Sequence, residues 1–240
     1  MIFDVLKSKK RKFCSVIIPA AGSSSRMNGE NKVFSVIDGI PVIARTLTAF
    51  NNCSSIDEII IVGKAEDFPR LKEICEEYKI TKAKHIVRGG SSRQESVYNG
   101  LKAIDKKAAL AAVHDCARPF VTEKIINDTV KLAARYGAAA PAVPAKDTIK
   151  KAVNGVVECT LDRSTLYQIQ TPQVFDADML KTALFDVIQK GTQVTDDCMA
   201  VELLGMKVHL SQGDYNNIKI TTPEDMIAAE SIAKDRSTEK

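Results

Sequence analysis

Strand-length apolar runs recur along this chain with amphipathic stretches between them, and that alternation restricts its possible folds more than any other feature. FCSVIIP (13–19), EIIIV (58–62), KHIVR (84–88) and LAAVHD (110–115) are too short for buried helices and carry many β-branched residues. The segments near 42–51, 67–78 and 92–105 have helical periodicity instead. A further strand, GAAAPAVPA (137–145), follows a helix over 122–136. Apolar strands without in/out alternation must be covered on both faces, which is the condition of a parallel sheet built from βαβ units. The expected fold is therefore α/β: a single-domain, doubly wound, mostly parallel sheet.

Local signals sharpen the boundaries. Ser92-Arg93-Gln94-Glu95 and Thr222-Pro223-Glu224-Asp225 both read as capping boxes, the second with proline at the first helical position. Helices are expected near 176–189 and 196–204, strands at KVHLSQ (207–212) and NIKIT (217–221), and a helix at the C-terminus. The rhythm breaks at DTIKKAVNGVVECTLDR, where alternating residues flank Asn154-Gly155, a strong hairpin signal. This predicts a protruding β-arm over about 147–168, with Thr148, Lys150 and Glu158 facing outward.

Charge and composition exclude several classes. The formal charge is +4 over 240 residues, yet Lys7, Lys9, Lys10, Arg11 and Lys12 against Asp4 account for all of it. Residues 1–12 thus read as a basic, solvated extension, and 13–236 as an electrically neutral domain without the basic face that nucleic-acid binding needs. No apolar run approaches the ~20 residues that span a bilayer, so no membrane partner is expected. Six cysteines stand 22 to 43 residues apart, without the spacing of a zinc site or a disulfide framework. Reduced thiols and a cytoplasmic location are the expectation.

Three constellations could carry chemistry. PAAGSSSRMNGENK (19–32) leaves a strand, runs through small residues and then brings Arg26 and Lys32. It is neither a Walker loop nor a dinucleotide fingerprint. Ala20, Ala21, Gly22 and Ser23 would let a ligand approach the backbone, while an arginine fork and a lysine point charge suit phosphate oxygens; a polar loop with solvated cations is the alternative. VHDCARPF places Asp115 and Arg118 at the carboxyl end of a strand, where open parallel sheets bind ligands. A carboxylate beside a phosphate site calls for an intervening cation, and Mg²⁺ is held by one or two carboxylates plus phosphates; an Asp115–Arg118 ion pair is the alternative, with His114 a packed core residue. GGSSRQESV (89–97) is a glycine-containing loop at a helix N-terminus that could hold a base edge or merely turn the chain. Thr148, Arg163, Thr171, Thr195 and Lys219 form a looser set of hydroxyls and cations.

Taken together, PAAGSSSRM, NK, GGSSRQESV, HDCARPF, AKDTI, LDR, TPQVF, VTDD and NIKIT resemble, in order from about 14 to 235, the 2-C-methyl-D-erythritol 4-phosphate cytidylyltransferases. The resemblance implies a GT-A-like nucleotidyltransferase domain, a homodimer, and Mg²⁺-dependent reaction of CTP with a polyol phosphate in the non-mevalonate isoprenoid pathway. It implies a catalytic set of Arg26, Lys32, Asp115 and Lys219, with Asp115 also the metal ligand. Ala20, Ala21, Gly22, Ser23, Gly90, Ser91 and Ser96 would cradle the nucleotide; Arg118, Thr148, Arg163, Thr171 and Thr195 would serve the substrates. Three positions depart from the family pattern: Asn31 replaces a usual proline, Cys116 a common alanine, and Ser91 a frequent acidic residue. Ribitol 5-phosphate cytidylyltransferase is a close alternative activity, and a non-catalytic nucleotide-binding regulatory domain is a more distant one.

Overall fold

A computed structural model describes residues 11–22 and 32–238. In chain order the elements are β1 (Cys14–Pro19), β2 (Val36–Ile37), β3 (Ile40–Pro41), α1 (Val42–Asn52), β4 (Glu58–Gly63), α2 (Phe68–Glu77), β5 (Ala83–Arg88), α3 (Arg93–Leu101), β6 (Leu110–Val113) and α4 (Glu123–Tyr136). There follow β7 (Ala138–Pro144), β8 (Lys150–Val153), β9 (Val156–Thr160), β10 (Tyr167–Ile169), β11 (Gln173–Asp176), α5 (Ala177–Gln189), α6 (Asp197–Leu203), β12 (His209–Gln212) and α7 (Pro223–Thr238).

The main sheet runs β5-β4-β1-β6-β11-β7, with β10 and β12 both paired to β7. Ala142 pairs with Ile169 of β10 and with Gln212 of β12, so these two strands lie on opposite edges of β7. β1, β4, β5 and β6 are mutually parallel, and β11 enters antiparallel between β6 and β7. The doubly wound, mostly parallel expectation holds. The antiparallel β11 was not foreseen, because QTPQVF carries too short an apolar run to stand out.

Side-chain alternation along β1 explains the layering. Val16 and Ile18 join Leu47 and Phe50 of α1 and Ile126 of α4 in one buried cluster. Ile17 points to the other face, among Val97 of α3 and Leu180 and Leu184 of α5. Period-2 geometry sends successive residues to opposite faces, so a strand apolar at every position requires helices on both sides. α7 closes a smaller third cluster with Ile37, Phe120 and Ile220.

Helix ends follow the sequence closely. Ser92 Oγ accepts from Glu95 N at 3.1 Å, and Thr122 Oγ1 from Ile125 N at 3.3 Å. Asp225 takes the N–H groups of Thr221 and Thr222 at 2.7 and 2.9 Å. α3 stops at Leu101, short of the expected 105, because the chain turns there with Ala103 N donating to Gly100 O. NIKIT is not a strand: it finds no ladder partner, Ile220 N donating to Ala117 O at 2.9 Å while Asn217 N closes a turn onto Asp214 O at 2.9 Å. At the N-terminal edge Arg11 is already tied to Asp57 and donates to Ser55 O at 3.1 Å.

The arm forms as its turn signal requires. Asn154 and Gly155 have φ of +50° and +79°, the paired positive values of a type I′ hairpin turn. The ladder from Val153↔Val156 slips between Lys151 and Ala152, a bulge that the sequence did not disclose.

Gly100 sets how closely α3 rests on the sheet. A Cβ there would lie 2.6 Å from Ile17 Cγ2 and 3.0 Å from Val62 Cγ2, both on fully buried β-branched side chains with no room to turn. Gly100→Ala should gain up to about 1 kcal/mol of helix propensity and lose about 1–3 kcal/mol to overpacking. The expected result is net destabilisation, read as a lower urea midpoint; an unchanged or higher midpoint would show that α3 can move away from β1.

Candidate active site

Parallel strands deliver their carboxyl ends to one edge of the sheet, and the loops leaving β1, β5 and β6 meet there. Ala20 N donates to Val62 O at 2.7 Å, extending the β1–β4 ladder one residue into the loop. Gly89 N donates to Gly63 O at 3.0 Å. A Cβ on Gly89 would meet Ala21 Cβ at 2.7 Å, and one on Gly90 would meet Glu95 Cβ at 2.4 Å. Both glycines are therefore demanded by close packing of the two loops and α3. Between them lies a cleft of about 410 Å³.

Its lining brings together many of the expected residues: Ala20, Ala21, Gly22 and Lys32 from one side, Gly90, Ser91 and Ser96 from another, and Asp115 and Lys219 across from them. Ser23 and Arg26 lie outside the described residues. Ser96 is buried and spends its hydroxyl on the loop, accepting from Gly90 N at 3.0 Å and donating to Ser92 O at 2.9 Å. Ser91 donates to Glu95 Oε2 at 2.7 Å through both its N–H and its hydroxyl.

Asp115 stands two residues beyond the end of β6 with a side chain only 13% exposed. Lys219 Nζ is 2.7 Å from Oδ2, Arg93 Nη2 3.6 Å from Oδ1 and Arg118 Nε 3.9 Å from Oδ2. Burial pushes the carboxyl up, but Arg93, Lys219 and Arg118 outweigh it and hold it well below the usual carboxylate range. The expected Asp115–Arg118 pair is the longest of the three contacts. Arg118 instead donates to Asn217 O at 2.6 Å and faces an adjoining recess of about 280 Å³ that shares Lys219 with the cleft.

Thr171 and His114 brace this carboxylate from behind. Thr171 is buried, and its Oγ1 accepts the Asp115 N–H at 3.2 Å. The hydroxyl is then free to donate to His114 Nδ1 at 2.9 Å, which leaves Nε2–H to donate to Arg118 O at 3.1 Å. His114 is a fully buried neutral imidazole, as the core alternative expected. Three further candidates stand apart from the cleft. Thr148 and Arg163 are exposed at the root of the arm, where Arg163 Nη1 donates to Lys146 O at 2.6 Å. Thr195 is exposed ahead of α6, with its hydroxyl 3.6 Å from Met199 Sδ.

Two charged residues of the site escaped the sequence reading. Arg93, at the first position of α3, lines the cleft and pairs with Asp197 at 2.7 Å. Its place directly after the capping serine was the available signal. Asp197 had none, since VTDD does not tell which aspartate turns inward.

A doubly wound sheet whose carboxyl edge holds a backbone-floored cleft, with Lys32, Arg93 and Lys219 against the carboxylate of Asp115, has the architecture of a nucleotidyltransferase. Residues 14–235 match the family model for 2-C-methyl-D-erythritol 4-phosphate cytidylyltransferase. A cytidylyltransferase of that name from Clostridium acetobutylicum is 47% identical over 227 residues, spanning 93% of this chain and 98% of the relative. One from Bacillus mycoides is 44% identical, spanning 91% and 96%. The crystal structure of 4-diphosphocytidyl-2C-methyl-D-erythritol synthase from Anaerococcus prevotii matches with a TM-score of 0.84 at 34% identity, covering 93% of this chain and 96% of that one. The chain belongs to the 2-C-methyl-D-erythritol 4-phosphate cytidylyltransferase family, and is thus a CTP-dependent nucleotidyl-transferring enzyme of the non-mevalonate isoprenoid pathway. The ribitol phosphate and non-catalytic alternatives fall away.

His114 links the site to pH. Burial lowers its pKa from near ~6.5 to about 4. The unfolded chain therefore takes up a proton over that interval while the folded chain does not, so stability falls as pH drops through it. Urea titrations should show a loss of about 2 kcal/mol between about pH 7.5 and about pH 5, and His114→Gln should flatten that slope. An equally steep slope in the variant would assign the loss to other groups.

Proposed function

We propose that the cleft binds CTP and that the phosphate of 2-C-methyl-D-erythritol 4-phosphate attacks its α-phosphorus. The acceptor oxygen forms the new P–O bond as the bond to pyrophosphate breaks, giving 4-diphosphocytidyl-2-C-methyl-D-erythritol. The observation that carries this reading is the convergence of Lys32, Arg93 and Lys219 with Asp115 around the cleft lined by Ala20, Ala21, Gly22 and Gly90.

The chemistry matches the groups available. A phosphate monoester with a second pKa near ~6 is already largely dianionic at neutral pH, so the nucleophile needs no general base. Cys116 lines the cleft, but burial pushes its thiol up to about 12, which keeps it protonated and unreactive. The remaining task is to bring anion to anion, and fixed cations with correct positioning accomplish it. Arg26 and Lys32 act on the triphosphate and Lys219 on the acceptor phosphate. Ala20 to Ser23 with Gly90, Ser91 and Ser96 cradle the nucleotide; Arg118, in the recess that shares Lys219, and Thr171, through Asp115, shape the acceptor side, while Thr195 lies apart from it.

Mg²⁺ fits this site as a passenger of the triphosphate. Among the described residues no group of three His, Cys, Asp or Glu could cage an ion, while the ionised, nearly buried Asp115 together with phosphate oxygens would supply the ligand set Mg²⁺ accepts. When bound, the ion neutralises phosphate charge. Asp115→Asn keeps the shape but is a poor ligand for a hard cation, so pyrophosphate release from CTP and the acceptor should fall by roughly 10²-fold or more with the fold retained by circular dichroism. Wild-type turnover in this variant would return Asp115 to a structural ion pair.

The assembly reading is a cytoplasmic homodimer. No helix among the described residues is long and apolar enough to cross a membrane, and none of the six cysteines is in a disulfide. The arm leaves Ile149, Val153, Val156 and Val157 36–70% exposed. A lone two-stranded hairpin is marginal in water, and a second copy related by a two-fold axis offers the covering surface. Arg163 and Thr148, at the arm's root, then reach the neighbouring site, where the guanidinium grips the acceptor phosphate. Mixing inactive Arg163→Ala with inactive Lys32→Ala should restore activity, since one site of each heterodimer carries both lesions and the other neither. Verified heterodimers without activity would place Arg163 in its own subunit's site.

A further inference from the structure

Behind the cleft wall lies a buried carboxylate that the transfer described above leaves without a task. Asp197, at the start of α6, is fully buried and does not line the cleft. Its Oδ2 is 2.7 Å from Arg93 Nη2, while Oδ1 has no hydrogen-bond partner among the described residues. A half-satisfied buried ion pair is a poor stabilising device, which directs attention to what the pair holds in place.

Its backbone is fixed to the strands that carry the site. Gln173 Oε1 accepts from Asp197 N at 3.0 Å and Cys198 N at 3.2 Å, while its Nε2 donates to Asp196 Oδ2 at 2.7 Å. Gln173 itself pairs with Val113, two residues before Asp115. Arg93 Nη2 therefore sits between two carboxylates held on one frame, 2.7 Å from Asp197 and 3.6 Å from Asp115. The nearer and drier partner exerts the stronger pull. Lys219, 40% exposed on a flexible stem, can leave Asp115 for an incoming phosphate. Arg93 has no such freedom.

We propose that Asp197 is a positioning residue: it retains Arg93 on the cleft wall so that Asp115 is released from the guanidinium when it engages a metal-bound nucleoside triphosphate. The proposal rests on the cytidylyltransferase reading above. Without the Asp197 charge, Asp115 is the remaining ion-pair partner of Arg93 among the described residues, Asp196 acting on it only at longer range, and the metal must compete with a guanidinium for Asp115. The direct consequence is a loss of thermodynamic coupling between metal and CTP, with binding of CTP alone preserved.

Calorimetric titration of the full chain with CTP, in EDTA and in millimolar Mg²⁺, reads that coupling without turnover. Wild type should bind CTP more tightly with Mg²⁺. Asp197→Asn should keep its metal-free affinity and lose about tenfold of the Mg²⁺ gain, and Arg93→Met/Asp197→Asn, which removes both charges together, should recover the gain. A folded Asp197→Asn with the wild-type gain, or with metal-free binding equally weakened, overturns the proposal. If Asp197→Asn fails to fold, the double variant decides: absence of the Mg²⁺ gain in it also overturns the proposal. Wild type that binds no CTP would instead overturn the cytidylyltransferase reading.

Discussion

One nearly buried negative charge organises the functional half of this molecule. Asp115 keeps its carboxylate ionised at 13% exposure only because cations from three separate segments surround it: Arg93 from α3, Arg118 from the turn after β6, and Lys219 from the extended stretch before α7. Burying a carboxylate without such partners would drive it to protonate. The charge therefore ties together segments more than a hundred residues apart in sequence, and the cleft's shape follows from where those partners must stand.

The sheet makes this possible by holding the strand ends in register. β6 is flanked by β1 on one side and β11 on the other, so Val113 pairs with both Ile17 and Gln173. That double pairing fixes the direction in which His114 and Asp115 leave the sheet, and Gln173 carries the same register to the start of α6. Helices packed on both faces exclude water from the strands, while the carboxyl edge stays open. Rigidity and access are thus separated along the strand axis, which suits a reaction whose catalysis is positioning and electrostatics.

The arm obeys a different logic. Its turn is locally specified, yet among the described residues none covers its apolar side chains, which stay exposed. Elsewhere apolar side chains find a helix across the sheet; here they do not, and Arg163 and Thr148 at its root remain away from the cleft of their own chain. The contrast separates residues whose placement the fold completes from those, such as Arg163 and Thr148, that it leaves outside the cleft.

What the amino-acid order determined alone was everything governed by short-range periodicity and steric demand. The strand and helix alternation, the cap at Ser92 and the Asn154-Gly155 turn were legible because each depends on residues within a few positions of one another. The segments around Asp115 and Lys219 stood out in the sequence, but not the 2.7 Å contact that joins them. Tertiary structure decided that β11 inserts antiparallel beside β6, that NIKIT joins no sheet, that Arg93 enters the cleft, and that Asp197 rather than Asp196 turns inward. Each of these depends on which distant backbone or charge lies opposite, and no local pattern encodes the partner across a fold.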